Sequence, residues 1–204
     1  MDLQSHLERG WKNFIGFIGP ALLITFVQIV VTIFSLGILA PVTSAGYVQS
    51  LLLAQREGRT PEVKDLFSYM SLFLPLLLFG FVAFVVVIIG FTLLVLPGFA
   101  VMIFLAFACL YLLPLMTDEK MGLLEALKES WNMAVMDPLG DHIIITIVYV
   151  AIISIGGSLP FVILLAQPLA IFILLSFYQE RRKLAKSVAG SDVAAKSGEG
   201  RSEK

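Results

Sequence analysis

Apolar residues in this chain run in long uninterrupted stretches instead of alternating with polar ones. Asp, Glu, Lys and Arg are missing from Asn13 to Gln55, from Leu66 to Thr117 and from His142 to Gln179, stretches of 43, 52 and 38 residues. A helix crosses the hydrocarbon core of a bilayer in about 20 residues. Each stretch is therefore about two spans long. Even the shortest, as one continuous helix, would reach roughly 57 Å at 1.5 Å per residue, nearly twice the core.

Each stretch also carries helix breakers near its middle. They are Gly37 and Pro41 in LGILAP, Pro97 and Gly98 in LPG, and Gly156, Gly157 and Pro160 in GGSLP. Proline lacks a backbone donor and glycine tolerates positive φ, so these positions are expected to be the corners of helical hairpins. The pattern predicts an all-α polytopic bundle of six spans in three hairpins. The second span, about Ile38 to Gln55, is short and dotted with Thr43, Ser44, Gln49 and Ser50, which leaves five spans as the alternative.

The hairpins end alike, with LLLAQRE at 51, LLPLMTDE at 112 and LLSFYQER at 174. Each is preceded by an amphipathic stretch holding one aromatic residue, Trp11, Tyr69 or Trp131, expected at headgroup level in an interfacial helix. Three units follow from this spacing, 1–60, 61–118 and 119–185, inside one membrane domain of residues 1–186. The competing explanation is that any polytopic chain has helix-length periodicity and gathers aromatics at its interfaces. Between the second and third units, Thr117 to Asp137 reads as one interfacial helix. Thr117 would be its cap, Asp118 and Glu119 would lie in its first turn, and Pro138 and Gly140 would end it. Ser187 to Lys204 is small and polar and is expected to be a disordered cytoplasmic tail.

Charge placement orients the bundle, because loop Lys and Arg face the cytoplasm. With six spans, all 14 basic residues fall on the side of both termini, and the three corners carry none. Composition agrees with a membrane protein. The chain is 58% hydrophobic and 14% charged, and its mean hydropathy is +0.94. Its net charge of -1 offers no basic excess to a nucleic acid, so no nucleic-acid partner is expected. One cysteine, Cys109, excludes an intramolecular disulfide or a Cys-based metal cluster. The apolar run begins only after Lys12 and continues for tens of residues, which reads as a retained anchor and not as a secretory signal.

Candidate chemistry is sparse. The spans contain no acidic or basic side chain, against a proton relay or an ion-coupled carrier built on buried carboxylates. The two histidines, His6 and His142, form no HExxH or paired spacing, and GxSxG, P-loop and GxGxxG motifs are absent. Asp141 and His142 could serve as a general acid/base pair or simply end a span. Gln28, Gln49 and Gln167, the last beside the helix-bending Pro168, could line a polar cavity between spans, or could make ordinary interhelical hydrogen bonds. No cofactor or metal is expected.

The order LLVLPGFAVMIFLAFACLYLLPLMTDEKMGLLEALKESW, then a GG-containing hairpin and QPLAIFILLSFYQE, resembles a broad superfamily of uncharacterised multi-pass membrane proteins. That superfamily includes the membrane domain attached to some glycerophosphoryl diester phosphodiesterases. The matching elements are Pro97-Gly98, Asp118-Glu119 with Glu125-Ala126-Leu127 and Ser130, Pro168 followed by Tyr178, and the glycine, basic and Asp-Leu-Phe pattern of Ala45 to Phe67. The resemblance covers about residues 10 to 182. It implies six helices in a bacterial or archaeal cytoplasmic membrane and brings no established activity.

Three functions remain open on the sequence. The leading expectation is a non-enzymatic membrane adaptor, scaffold or lipid-interacting component, with membrane lipids, a second copy or another membrane protein as partner. The others are a small-solute transporter or channel, and a lipid-active enzyme using Asp141 and His142.

Overall fold

The computed structural model describes the backbone of residues 3–93, 95–135, 139–158 and 161–199, and the side chains of those between 4 and 187. Among the described residues the chain is all-helical. It consists of α1 (Leu3–Gly16), α2 (Ile18–Phe34), α3 (Ala40–Glu57), α4 (Phe73–Leu93), α5 (Val95–Ala108), α6 (Leu112–Asp118), α7 (Leu123–Val135), α8 (Leu139–Gly157) and α9 (Ile163–Glu199). Two short 3-10 helices, Val63–Phe67 and Met70–Leu72, lead into α4.

Among the described residues four segments are long and apolar enough to cross a membrane: Val63–Leu93, Val95–Asp118, Leu139–Gly157 and Ile163–Ser187. A fifth arises if α1 and α2, which meet at an angle of 84°, count as one broken span. The centre of the bundle is α3 with the middle of α9. Tyr47, Leu51 and Leu52 of the former and Phe172, Leu175, Phe177 and Tyr178 of the latter are buried. By contrast, α4 buries only Leu76 and Gly90, and Phe81, Phe84 and Ile89 lie open on its surface. Such a surface is stable only in an apolar solvent, where lipid chains cover it.

The corners can now be placed. Between α2 and α3 the chain turns at Leu36 and Gly37, both at positive φ (51° and 83°), and Pro41 lies in the first turn of α3. Glycine takes that conformation without strain, whereas Leu36, 90% exposed, takes it at the local cost of crowding its Cβ against its own backbone. Between α4 and α5 the helices break after Leu93, so Pro97 and Gly98 stand in the first turn of α5, where a missing N–H leaves no bond unmade. Gly156 and Gly157 are the last residues of α8. Pro160 and Pro138 lie outside the described residues, as do the last residues of the tail. The backbone of α9 runs helically to Glu199, past the expected start of that tail at residue 187.

Two local expectations are corrected. The segment around Tyr69 forms 3-10 turns and not an amphipathic α-helix. A capping box between Glu62 and Asp65 starts it, and the Asp65 carboxylate is drawn to Ser50 of α3 (2.7 Å) and to Arg59, which holds the chain in a tighter winding. Thr117 does not cap the next helix. It lies inside α6, its hydroxyl donating to the Leu113 carbonyl (3.0 Å), while α7 starts six residues later and Gly140 belongs to α8. The turn between them passes through Lys120 at φ 55°.

Packing is close where the 3-10 turn crosses α3. A Cβ on Gly46 would overlap the Asp65 carbonyl oxygen and come within 2.7 Å of that of Leu66. Backbone atoms held by the capping box cannot yield. Gly46→Val is therefore expected to destabilise the protein by about 1–3 kcal/mol, the cost of overpacking. Gly19→Ala, which meets open space, is expected to be neutral or stabilising. Thermal-unfolding midpoints in detergent measure both.

Candidate functional site

The three similar hairpin ends, distant in sequence, converge at one end of the bundle. Arg56 near the end of α3 grips Asp118 at the end of α6 with both terminal nitrogens (2.9 and 2.7 Å). The Tyr178 hydroxyl of α9 donates to the same carboxylate (3.2 Å). One turn further along α9, Arg182 binds Glu119 through Nε (2.9 Å) and Glu129 of α7 through a terminal nitrogen (2.8 Å), and Lys186 reaches Glu119 as well (2.8 Å). Tyr69 adds a longer hydrogen bond to the Thr117 carbonyl (3.4 Å).

The electrostatics explain why these partners are needed. Asp118 and Glu119 sit at the C-terminal end of α6, where the helix dipole disfavours negative charge. Cations from α3 and α9 overcome that penalty. The Arg182 guanidinium, with Lys186 beside it, lowers the Glu119 carboxyl from 4.5 to about 2 against the opposing effect of burial. Between the three ends lies a cavity of about 580 Å³ lined by Gln55, Arg56, Asp118, Glu119, Tyr178, Gln179, Arg182 and two further lysines.

Nearby polar groups serve the backbone. Between α5 and α6 the helix breaks at Cys109–Tyr111, freeing carbonyls that lipid cannot satisfy. The Ser130 hydroxyl of α7 donates to the Ala108 carbonyl (2.7 Å) and accepts from the Tyr111 amide (3.3 Å), and His142 Nε2 donates to the Phe107 carbonyl (2.8 Å). His142 is fully buried, with its ring edge-on to Phe107 and Tyr111. With its Nε2–H given to the Phe107 carbonyl, His142 closes the broken span, and its other nitrogen, Nδ1, is buried without a hydrogen-bond partner.

His6 docks α1 on α9. Its Nδ1 lies 2.9 Å from the Ser176 hydroxyl, its ring stacks on Phe177, and its Nε2 is 2.8 Å from Glu180, at ion-pair distance but not aligned as a hydrogen bond. The set of Ser, His and Glu looks hydrolytic on paper. Ser176 is fully buried under α1, however, where no acyl group can approach its oxygen.

Of the residues singled out in the sequence, Gln167 and Gln28 are brought together. Gln167 donates to Gln28 (2.9 Å), which donates to Ser44 of α3 (3.0 Å), tying α9, α2 and α3 in one relay. Thr25 and Tyr47 bond beside it (2.8 Å). Pro168 is buried inside α9 next to this relay. Gln49 stands apart, on a cavity of about 290 Å³ beside Asp65 and Tyr69, and its carbonyl oxygen is buried without a partner. Trp11 and Trp131 are half-exposed, the latter against Phe104 and Phe107. Among the described residues no three of His, Cys, Asp and Glu gather closely enough to hold a metal ion.

No protein-family model, curated protein or solved structure matches this chain.

The ionic junction itself was missed as a site. Its signal was present in the repeated QRE, TDE and YQER endings, which place opposite charges at equivalent hairpin ends. Because Glu119 is depressed below its unfolded value, its contribution is fully present above about pH 4.5 and is lost as pH falls toward 2. Unfolding midpoints of the wild type and Glu119→Gln are expected to differ by a constant amount from about pH 8 to about pH 5, then converge in more acid solution. A difference undiminished at the acid limit contradicts the assignment.

Proposed function

We propose that this chain is a non-enzymatic multi-pass component of a cytoplasmic membrane. It crosses six times in three hairpins with both termini inside, and works through its charged face as an adaptor, scaffold or lipid-interacting element. The observation that carries the reading is the division of polar groups. Gln28, Gln167, Ser44, Thr25 and Tyr47 within the bundle are spent on interhelical hydrogen bonds, while ion pairs collect at one end.

The first hairpin is the point at which six spans and five diverge. The sharp angle between α1 and α2 supports an α1 lying in the interface, docked on α9 through His6, and an α2 that crosses. Polar residues keep α3 from qualifying as a lone span, yet Val42 to Leu52 is almost wholly buried by neighbouring helices. A helix shielded by protein meets little lipid and can carry hydroxyls and amides. At 17 and 18 residues, α2 and α3 reach roughly 26 Å, slightly under the core thickness of about 30 Å. The location in a bacterial or archaeal membrane rests on the family resemblance alone.

Reporter fusions test the topology. A fusion at Gly37 is expected to report outside, and one at the C-terminus inside. An inside signal at Gly37 replaces six spans by five. Proteoliposomes test the alternative class: solute flux that rises with protein content and vanishes in Gln28→Leu would turn the reading into transport, whereas flux equal to empty vesicles supports a non-transporting component.

A further inference from the structure

We infer that the cavity among the three hairpin ends binds the phosphate of an anionic group presented at the membrane surface. This rests on the proposal that the charged end lies at a membrane interface. The cavity has the size of small-molecule sites, which run from roughly 300 to 1,000 Å³.

Four cations line it, Arg56, Arg182, Lys183 and Lys186, against two carboxylates, Asp118 and Glu119. Glu129 of α7, pairing with Arg182 from outside, makes a third, so positive charge still exceeds negative. The pairing is also incomplete. A guanidinium has five donors. Arg56 spends two on Asp118, and Arg182 spends two on Glu119 and Glu129. Lys183 makes no ion pair among the described residues, and its ammonium is exposed at the mouth.

Gln55 and Gln179 line the same cavity, but the Gln55 amide and the Gln179 nitrogen are closed off from solvent and offer it no donor. A phosphate entering the cavity meets the unspent donors of Arg56 and Arg182, with Lys183 closing the mouth as a point charge. The carboxylates keep the arginine planes fixed and limit the site to a ligand of low negative charge. Lipid-borne phosphate and a soluble phosphate ester share this chemistry, and the experiment separates them.

The full chain in neutral detergent is titrated with short-chain phosphatidic acid, with phosphatidylcholine of the same chain length, and with inorganic phosphate, at matched ionic strength, while the unfolding midpoint is followed. A saturable rise with phosphatidic acid and none with phosphatidylcholine is expected. An equal rise with inorganic phosphate assigns the site to soluble phosphate, and a rise with the lipid alone assigns it to a headgroup. Lys183→Gln, which breaks no ion pair or side-chain hydrogen bond among the described residues, is expected to weaken binding about fivefold, the ~1 kcal/mol that one basic residue contributes at a membrane surface. Lys128→Gln, an exposed lysine of α7 away from the cavity, is expected to bind as the wild type does. No saturable shift with either phosphate compound, or identical affinities for the two lysine variants, overturns the inference. Binding in detergent has no sidedness, so this result stands apart from the topology given by the reporter fusions.

Discussion

Lipid gives helices no hydrophobic reason to associate, because a leucine meets acyl chains as readily as another leucine. Everything specific about this bundle depends on that constraint. Association must come from close packing and from polar groups that have no other partner. The chain meets it in two layers. Within the bundle, the Gln167, Gln28 and Ser44 relay and the Thr25 to Tyr47 bond join α9, α2 and α3. At the charged end, ion pairs from Arg56 to Asp118 and from Arg182 to Glu119 and Glu129 join α3, α6, α7 and α9.

The two layers have different consequences. An interhelical amide bond in a membrane contributes about 0.6 kcal/mol on average, so the inner layer sets register more than stability. The outer layer places carboxylates against a helix dipole and depends on cations supplied by other hairpins. It therefore forms only when all three ends have assembled. A site at such a junction has a geometry that no single hairpin can produce, which is why the cavity lies there and not inside a span.

Much of the architecture was legible in the sequence, for a physical reason. Charge-free runs and their breakers are what a bilayer imposes, and the helices follow them closely. Hydropathy does not count α3 as a span because it reports preference for lipid, whereas Val42 to Leu52 of α3 is buried almost wholly by neighbouring helices. The 3-10 winding around Tyr69 was hidden because it is dictated by Asp65 bonding to Ser50, 15 residues away, and the helix at Thr117 was misplaced because cap signals in TDE also suit a helix end with cations opposite. His142 read as half of an acid/base pair or as the end of a span, and Ser130 only as part of the family resemblance, since the broken helix whose carbonyls they satisfy shows no proline or glycine at Cys109 to Tyr111. Gln28, Gln49 and Gln167 were legible as polar groups among the spans, but only packing shows that Gln167 bonds directly to Gln28 and that Gln49 stands apart.

The central claim is that the hairpin ends are joined by complementary charge. A charge swap between Arg56 and Asp118 tests it most directly, because the two residues lie 62 positions apart and meet only in the assembled bundle. Arg56→Asp and Asp118→Arg alone are each expected to lower the unfolding midpoint in detergent, and the double swap to recover part of both losses. Losses that simply add in the double variant would contradict the account.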